Sequence, residues 1–190
     1  MKKILLIGGG GHATSCIEII LQNSKYKIIG VVEKSNNYKN TNFKYLGDDT
    51  ELSKLKTKYS YCANCIGQIK SHIPRYKMYI KLKEIGFDLP NFISKTTYFS
   101  KSSEIGDGNF FMNNSFINRN VIIGNNNIIN TGSIVEHDVF IGDNCHVSTG
   151  VILNGGVKIG NNVFIGSGSI IYNDLKIKDG SIIPAGSIIK

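Results

Sequence analysis

The residues best suited to proton transfer lie in the stretch "VEHDVFIGDNCHVSTG", which spans positions 135–150. His137 stands between Glu136 and Asp138, and His146 follows further along the same stretch. An imidazole has an unperturbed pKa of about 6.5, so it can accept a proton near neutral pH. The alternative is that both histidines are ordinary polar residues on a solvated β surface. The elements that position them decide between these two interpretations.

The length of 190 residues is enough for two modest domains with their own cores, and we predict them at 1–92 and 93–190. A hydrophobic fraction of 41% and a charged fraction of 19% are ordinary for a soluble protein. Apolar runs fall short of the roughly 20 residues that a membrane span needs. The opening "MKKILLIGG" has a short apolar run followed at once by glycines, which indicates a buried strand rather than a signal peptide and favours the cytoplasm.

The net charge of +8 comes from the first 92 residues, which hold 15 Lys/Arg against 7 Asp/Glu, whereas the remainder holds 7 of each. No block of basic residues and no alternation of aromatic and basic residues is present, so the sequence gives little support to nucleic-acid binding. A phosphorylated small molecule fits this charge better. A lysine-rich solvated surface explains it equally well.

The four cysteines raise the question of a metal or redox site, because Cys62 and Cys65 are separated by two residues. They lie at the end of an apparent strand, where residues three apart face opposite sides. In a reducing compartment, scattered cysteines are mostly small buried hydrophobic residues. We therefore predict no metal site.

A repeat of six residues dominates the second half of the sequence. Every sixth residue from Ile105 to Ile189 is apolar, and Phe99 and Ile93 extend this register upstream. Chance would give such a run on the order of once in a million trials. Small or β-branched residues recur four positions later, and Gly, with Asn at 125, 126, 161 and 162, punctuates the hexads as expected for left-handed corners. The pattern predicts a solenoid whose stacked parallel strands point one apolar residue per hexad towards the axis.

The first half has a different pattern. "KKILLIGGGGHATSCIEIILQ" predicts a strand, a glycine turn and a helix, and "YKIIGVVEK" predicts a second strand, which together make a βαβ unit. Gly8, Gly10 and Ala13 fit G-x-G-x-x-A, and Glu33 lies about twenty residues on, as in a dinucleotide fingerprint. The glycines would let the backbone approach an anion at a helix N-terminus. Because this half is small for a complete NAD-binding fold, a nucleotide-sugar is the better expectation.

The motifs "GGGGHA", "CIG", "NTGSIVEHDVFIGDNCHVSTGVILNGGVKIG" and "VFIGSGSII" together resemble the sialic acid O-acetyltransferase and bacillosamine-pathway N-acetyltransferase family over nearly the whole chain. This resemblance implies a Rossmann-like α/β domain followed by a left-handed parallel β-helix of hexapeptide repeats, with about five triangular coils. The usual crossover rule would give the opposite hand. The resemblance also implies a homotrimer that binds acetyl-CoA between subunits and uses no metal.

Roles for the prism residues follow from the same resemblance. His137 is expected to be the general base, facing outward from a corner, with either Asp138 or Glu136 holding its ring. His146 is expected to contact the acetyl thioester. The N–H of Gly155 is expected to polarise the thioester carbonyl. The remaining acetyl-CoA contacts are expected from Gly156 and Ser167.

The resemblance places the sugar nucleotide against the first domain. His12 is expected at the sugar, and Glu33 and Lys34 near the nucleotide base and ribose. The full expected set is Gly8, Gly10, Gly11, His12, Glu33, Lys34 and Gly67. The resemblance also implies a loop beyond the equivalent of Lys190 that helps to hold CoA, so the sequence given leaves open which residues contact the adenine and pantetheine.

The expected activity is transfer of acetyl from acetyl-CoA to the amine of a nucleotide-linked 4-amino-deoxy sugar in surface glycan biosynthesis. Two alternatives stay open: an O-acetyltransferase acting on sialic acid or a related sugar, and a non-catalytic trimeric scaffold that binds a nucleotide-sugar. A nicotinamide oxidoreductase is a more distant interpretation. The sequence does not specify the sugar, the carbon that bears its amine, or whether UDP or dTDP carries it.

Overall fold

The computed structural model describes residues 1–34 and 42–190. It divides the chain into two compact units, Met1–Phe92 and Ile93–Lys190. The predicted fold class, a small Rossmann-like α/β region followed by a left-handed parallel β-helix, is confirmed. In the described part of the chain, no helix combines the length and apolarity needed to cross a membrane.

The first unit is built on a parallel sheet of three strands in the order β2-β1-β3. The strands are β1 (Lys2–Ile7), β2 (Tyr26–Val32) and β3 (Tyr61–Asn64), and the helices are α1 (Gly11–Leu21), α2 (Leu52–Lys56) and α3 (Ile73–Ile85). The last four residues of the central strand, Ile4 to Ile7, are buried, as expected for a strand covered on both faces. Because all three strands are parallel, the loops that follow them meet at one edge of the sheet.

Helix α3 is tied to the loop after β3 by a fully buried arginine. Arg75 donates from Nη1 to the carbonyl oxygens of Asn64, at 2.7 Å, and Ile66, at 2.8 Å. Burial lowers the pKa of the Arg75 guanidinium to about 10. Gly86 ends the helix with φ at +90°, a left-handed conformation that glycine adopts without a steric penalty.

The second unit is a three-sided prism built from parallel strands of two residues each. Consecutive strands along the chain belong to different sheets, and residues that pair in a sheet are 18 positions apart in the sequence. The first face contains β4 (Phe92–Ile93), β7 (Phe110–Phe111), β10 (Ile128–Ile129), β13 (His146–Val147), β16 (Phe164–Ile165) and β19 (Ile182–Ile183). The second contains β5 (Tyr98–Phe99), β8 (Phe116–Ile117), β11 (Ile134–Val135), β14 (Ile152–Leu153), β17 (Ile170–Ile171) and β20 (Ile188–Ile189). The third contains β6 (Glu104–Ile105), β9 (Ile122–Ile123), β12 (Phe140–Ile141), β15 (Lys158–Ile159) and β18 (Lys176–Ile177).

The apolar residue predicted to point inward from each hexad does so. Every sixth residue from Ile93 to Ile189 belongs to, or packs against, one continuous cluster along the prism axis. Valines four positions later, such as Val139 and Val157, fill the same cluster. The hydrophobic effect therefore selects the register, because moving one residue along a strand would expose the whole apolar set.

The backbone at the corners of the prism differs from one prediction. The sequence predicted left-handed backbone at five corner glycines and at Asn125 and Asn161, but their φ angles are not positive. The five glycines are Gly106, Gly124, Gly142, Gly160 and Gly166. These positions require glycine because the next coil packs directly against them, so that a Cβ on Gly142 would come within 2.6 Å of Asn161 Oδ1. The left-handed positions lie later in each corner and include Asn126, Asn162, Asp138 and Asp174.

Candidate active site

His137 stands at the corner that follows β11, two residues after the inward-facing Val135. Its side chain therefore points away from the axis and is 59% exposed, as predicted. Asp138 adopts left-handed backbone with φ at 60°. The ring Nδ1 of His137 lies 2.8 Å from Asp138 Oδ2, so the two neighbours form a hydrogen-bonded pair.

The pair changes the protonation of both partners. The hydrogen bond with Asp138 raises the pKa of His137, and the negative charges of Asp138, Glu136 and Asp174 add to the effect. The pKa of Asp138 is lowered by hydrogen bonds from His137 and from Asn120 Nδ2, the latter at 3.0 Å. Because the carboxylate engages Nδ1, the neutral ring has Nε2 available to accept a proton.

The structure also distinguishes the two carboxylates beside His137. Glu136 accepts a hydrogen bond from Asn118 Nδ2 at 2.6 Å. Its effect on the His137 ring is electrostatic, because its negative charge raises the pKa of the imidazole. Asp138 is the one that touches the imidazole.

Two adjacent glycines from the next coil lie against His137, one against its ring and one against its backbone. A Cβ on Gly155 would come within 2.6 Å of His137 Cε1 and 2.7 Å of Nε2, so the imidazole lies directly over this residue. The N–H of Gly156 donates to the His137 carbonyl at 3.0 Å and fixes the stacking of the two coils. We name this recess, made by Gly155 and Gly156, the glycine notch.

His146 belongs to another part of the prism. It lies on β13 in the first face, whereas His137 follows a strand of the second face. Its side chain is buried, with Nε2 3.2 Å from Asn130 Nδ2 and the ring edge-on to Phe164.

Ser167 follows β16 of the same face as His146, and its hydroxyl lies 3.0 Å from that of Ser148. One chain therefore gathers His137, Asp138, Gly155 and Gly156 but leaves His146 and Ser167 on a different face.

The first unit holds a cavity of about 610 Å³ at the carboxyl edge of its sheet. Its lining contains all seven residues that the sequence suggested for the sugar nucleotide: Gly8, Gly10, Gly11, His12, Glu33, Lys34 and Gly67. Sequence reasoning missed Cys65, Ile66, Ile69 and Pro74, which also line it. The available signal was topological, because the segment after β3 must lie beside the turn after β1 in a parallel sheet.

The glycine turn differs from the expected open anion site in one respect. The N–H of Gly9 donates to Glu33 Oε2 at 2.7 Å, and the N–H of Lys34 donates to Oε1 of the same carboxylate at 2.7 Å. Glu33 thus closes the turn and leaves the start of α1, together with Lys34, to meet a ligand. Gly10 and Gly11 face open space, so the backbone there is accessible.

The four cysteines are all buried and reduced. Burial raises the pKa of the Cys62 thiol, and it also raises the pKa of Cys145, to about 12. Within residues 1–34 and 42–190, no cluster of three His, Cys, Asp or Glu side chains could hold a metal ion.

A parallel prism of hexapeptide repeats with an outward histidine at one corner defines the class of hexapeptide-repeat transferases. Family models agree: residues 3–78 match the PglD N-terminal domain, and residues 138–173 and 156–190 match the bacterial transferase hexapeptide. No match was found among curated proteins.

Solved structures extend the likeness to the whole chain. A perosamine N-acetyltransferase mutant from Caulobacter crescentus, in complex with CoA and GDP-perosamine, is 30% identical with a TM-score of 0.94, covering 100% of this chain and 89% of that one. The acetyltransferase domain of PglB from Neisseria gonorrhoeae, in complex with acetyl coenzyme A, is 24% identical with a TM-score of 0.90, covering 99% and 92%. The chain belongs to the family of hexapeptide-repeat N-acetyltransferases with a PglD-type N-terminal domain.

Proposed function

We propose that this protein transfers the acetyl group of acetyl-CoA to the amine of a nucleotide-linked amino sugar, with His137 as the general base. The observation that carries the proposal is the His137–Asp138 pair, held at 2.8 Å on an exposed corner above the glycine notch. The Caulobacter relative, solved with CoA and GDP-perosamine, supports the choice of substrates.

The reaction needs a base because the attacking nitrogen carries a proton that must leave. The amine nitrogen forms a bond to the thioester carbonyl carbon, and His137 Nε2 takes the proton from that nitrogen. The carbon–sulfur bond then breaks, and the imidazolium returns the proton to the departing thiolate, which leaves as free CoA thiol. Asp138 keeps Nδ1 protonated and stabilises the imidazolium during the step.

Two residues are proposed to handle the thioester. The Gly155 N–H would donate to the carbonyl oxygen as negative charge develops there, a kind of contact worth roughly 2.7 to 4 kcal/mol in other enzymes. His146 would contact the acetyl thioester, with Gly156 and Ser167 along the CoA arm.

The cavity of the first unit is the proposed site of the sugar nucleotide. Its volume of about 610 Å³ suits a small-molecule ligand, and the start of α1 and the ammonium of Lys34 supply positive potential for the phosphates. His12 would contact the sugar, and Glu33, held by the N–H groups of Gly9 and Lys34, would lie beside the ribose or base. The relative's GDP-linked substrate adds guanosine to the nucleotides that merit testing.

We further propose that the active form is a homotrimer, because the second face of the prism is apolar on its outer side. One residue per coil points outward there, and all six are hydrophobic: Tyr98, Phe116, Ile134, Ile152, Ile170 and Ile188. An apolar stripe of this kind favours association with another copy. His137 lies three residues after Ile134, at the edge of the stripe, whereas His146 lies on a different face of the same chain, so we infer that the partner subunit supplies the second histidine. Acetyl-CoA and nucleotide sugars are cytoplasmic metabolites, so we place the reaction in the cytoplasm.

The test is a thiol-release assay with acetyl-CoA over a panel of GDP-, UDP- and dTDP-linked amino sugars, each paired with the analogue that carries a hydroxyl in place of the amine. We expect thiol release that requires both substrates and an amine acceptor. Turnover confined to hydroxyl acceptors would show an O-acetyltransferase instead. No turnover on any acceptor, with the nucleotide-sugars still bound, would identify a scaffold.

A further inference from the structure

We propose that Asp174 is a specificity-determining residue of this site, whose carboxylate receives the positively charged nitrogen of the acceptor and so favours an amine over a hydroxyl. This inference rests on the proposed acetyl transfer and deepens it. Neither the spacing of the hexads nor the sequence around His137 pointed to Asp174, which lies two coils further along the chain.

The glycine notch brings Asp174 to the base. Its N–H donates to the Gly155 carbonyl at 3.0 Å, which stacks its corner directly above the notch. Its Oδ1 is the nearest atom to the space that a Cβ on Gly156 would fill. The imidazole of His137 fills the corresponding space at Gly155. The Asp174 carboxylate and the His137 ring therefore lie against two adjacent glycines from opposite sides. Both side chains are exposed and accessible to a ligand.

The charges around the notch are mostly negative. Glu136, Asp138 and Asp174 all act on the His137 ring, and Arg119 lies close enough to act on Asp138. Asp138 is engaged by His137 and Asn120, and Glu136 by Asn118. Of these three acidic residues, Asp174 is the one on the far side of the glycine notch from His137, on the coil that follows Gly155 and Gly156. Its carboxylate is therefore placed to bind a cation at the notch.

The acetyl transfer creates such a cation. An amine that attacks a thioester passes through a tetrahedral intermediate in which nitrogen carries a positive charge until His137 takes its proton. A hydroxyl oxygen must lose its proton as it attacks, so no comparable cation forms. A fixed carboxylate beside the nitrogen stabilises the amine pathway and leaves the hydroxyl pathway without the same benefit.

The test is Asp174→Asn, which removes the charge and suits the left-handed backbone at this position, where φ is 61°. The matched control is Asp179→Asn, an exposed aspartate at another corner whose Oδ1 accepts the N–H of Asn161 at 2.9 Å. We expect Asp174→Asn to lower kcat/KM for the amino sugar by about 10- to 100-fold, with unchanged acetyl-CoA binding. The acidic limb of its pH profile should move to lower pH, because one negative charge no longer raises the pKa of His137.

The control is expected to keep the wild-type kcat/KM and pH profile. If Asp174→Asn and Asp179→Asn behave alike, the role of Asp174 is wrong although the acetyl transfer stands. If the wild-type protein acetylates no amino sugar, the proposed function itself fails, so the two failures are distinguishable. Melting temperatures of both variants separate a lost charge from lost folding.

Discussion

At the scale of single residues, the site depends on which carboxylate holds the imidazole. The sequence offered Glu136 and Asp138 equally, and the structure puts Asp138 on Nδ1 while Glu136 binds Asn118. The two residues differ in backbone conformation, because Asp138 is left-handed, with φ at 60°, and Glu136 is not. A short carboxylate in this conformation can hydrogen-bond locally, which is why Asp and Asn tolerate it.

The first prediction at this scale concerns Asp138→Asn. A general base works in its neutral form, so activity is present above the pKa of His137 and is lost as pH falls through it. Asp138 raises that pKa, so its removal should shift the acidic limb of the kcat/KM profile to lower pH. The plateau rate should fall by about 100-fold or more, because the ring loses its orientation and its fixed tautomer.

Glu136→Gln is the matched control for Asp138→Asn, because it removes a negative charge next to His137 without removing a hydrogen bond to the imidazole. It should move the acidic limb less than Asp138→Asn does. A larger shift for Glu136→Gln would mean that Glu136 is the orienting carboxylate.

At the scale of the strands, each hexad is a two-residue strand whose stability comes from one inward side chain and the coils above and below. Strand β9 offers a matched pair of isoleucines, because Ile123 is 1% exposed in the axial cluster and Ile122 is 46% exposed. The same deletion can therefore be compared in two environments, one residue apart.

We predict that Ile123→Ala lowers the free energy of unfolding by about 2 to 5 kcal/mol, because it removes buried methylenes and leaves a cavity between stacked coils. Ile122→Ala should change it by about 0.5 kcal/mol or less, as is usual on a surface. Urea unfolding at one protein concentration measures both, since association makes stability concentration-dependent. Equal losses from the two variants would contradict the assigned inward register.

Much of this architecture could be predicted from the sequence, because a period of six with an apolar residue at each step leaves few alternatives. The inward residues from Ile93 to Ile189 are an example. The contact between Glu33 and the Gly9 N–H, and the closeness of Asp174 to His137, could not be predicted. Both join residues more than twenty positions apart, and they depend on how loops or coils stack in three dimensions. Local propensity carries no information of that kind.

At the scale of the whole molecule, a single chain does not assemble every group that the reaction is proposed to use. His137 and His146 lie on different faces of the prism. The apolar stripe beside His137 is the surface at which we propose that a second copy packs. Association would then do more than stabilise the prism, because it would complete the thioester site. The catalytic claim is accordingly tested on the assembled protein.

The most direct measurement is the rate of thiol release by His137→Ala with acetyl-CoA and an accepted nucleotide amino sugar, alongside the molecular mass of the variant in solution. The control is His72→Ala, which removes an imidazole at the start of α3, outside the lining of the cavity and the glycine notch. We predict that His137→Ala loses on the order of 10² to 10⁴ in rate while its mass stays that of the wild-type assembly, and that His72→Ala keeps the wild-type rate. A His137→Ala protein that releases thiol at the wild-type rate would contradict the account.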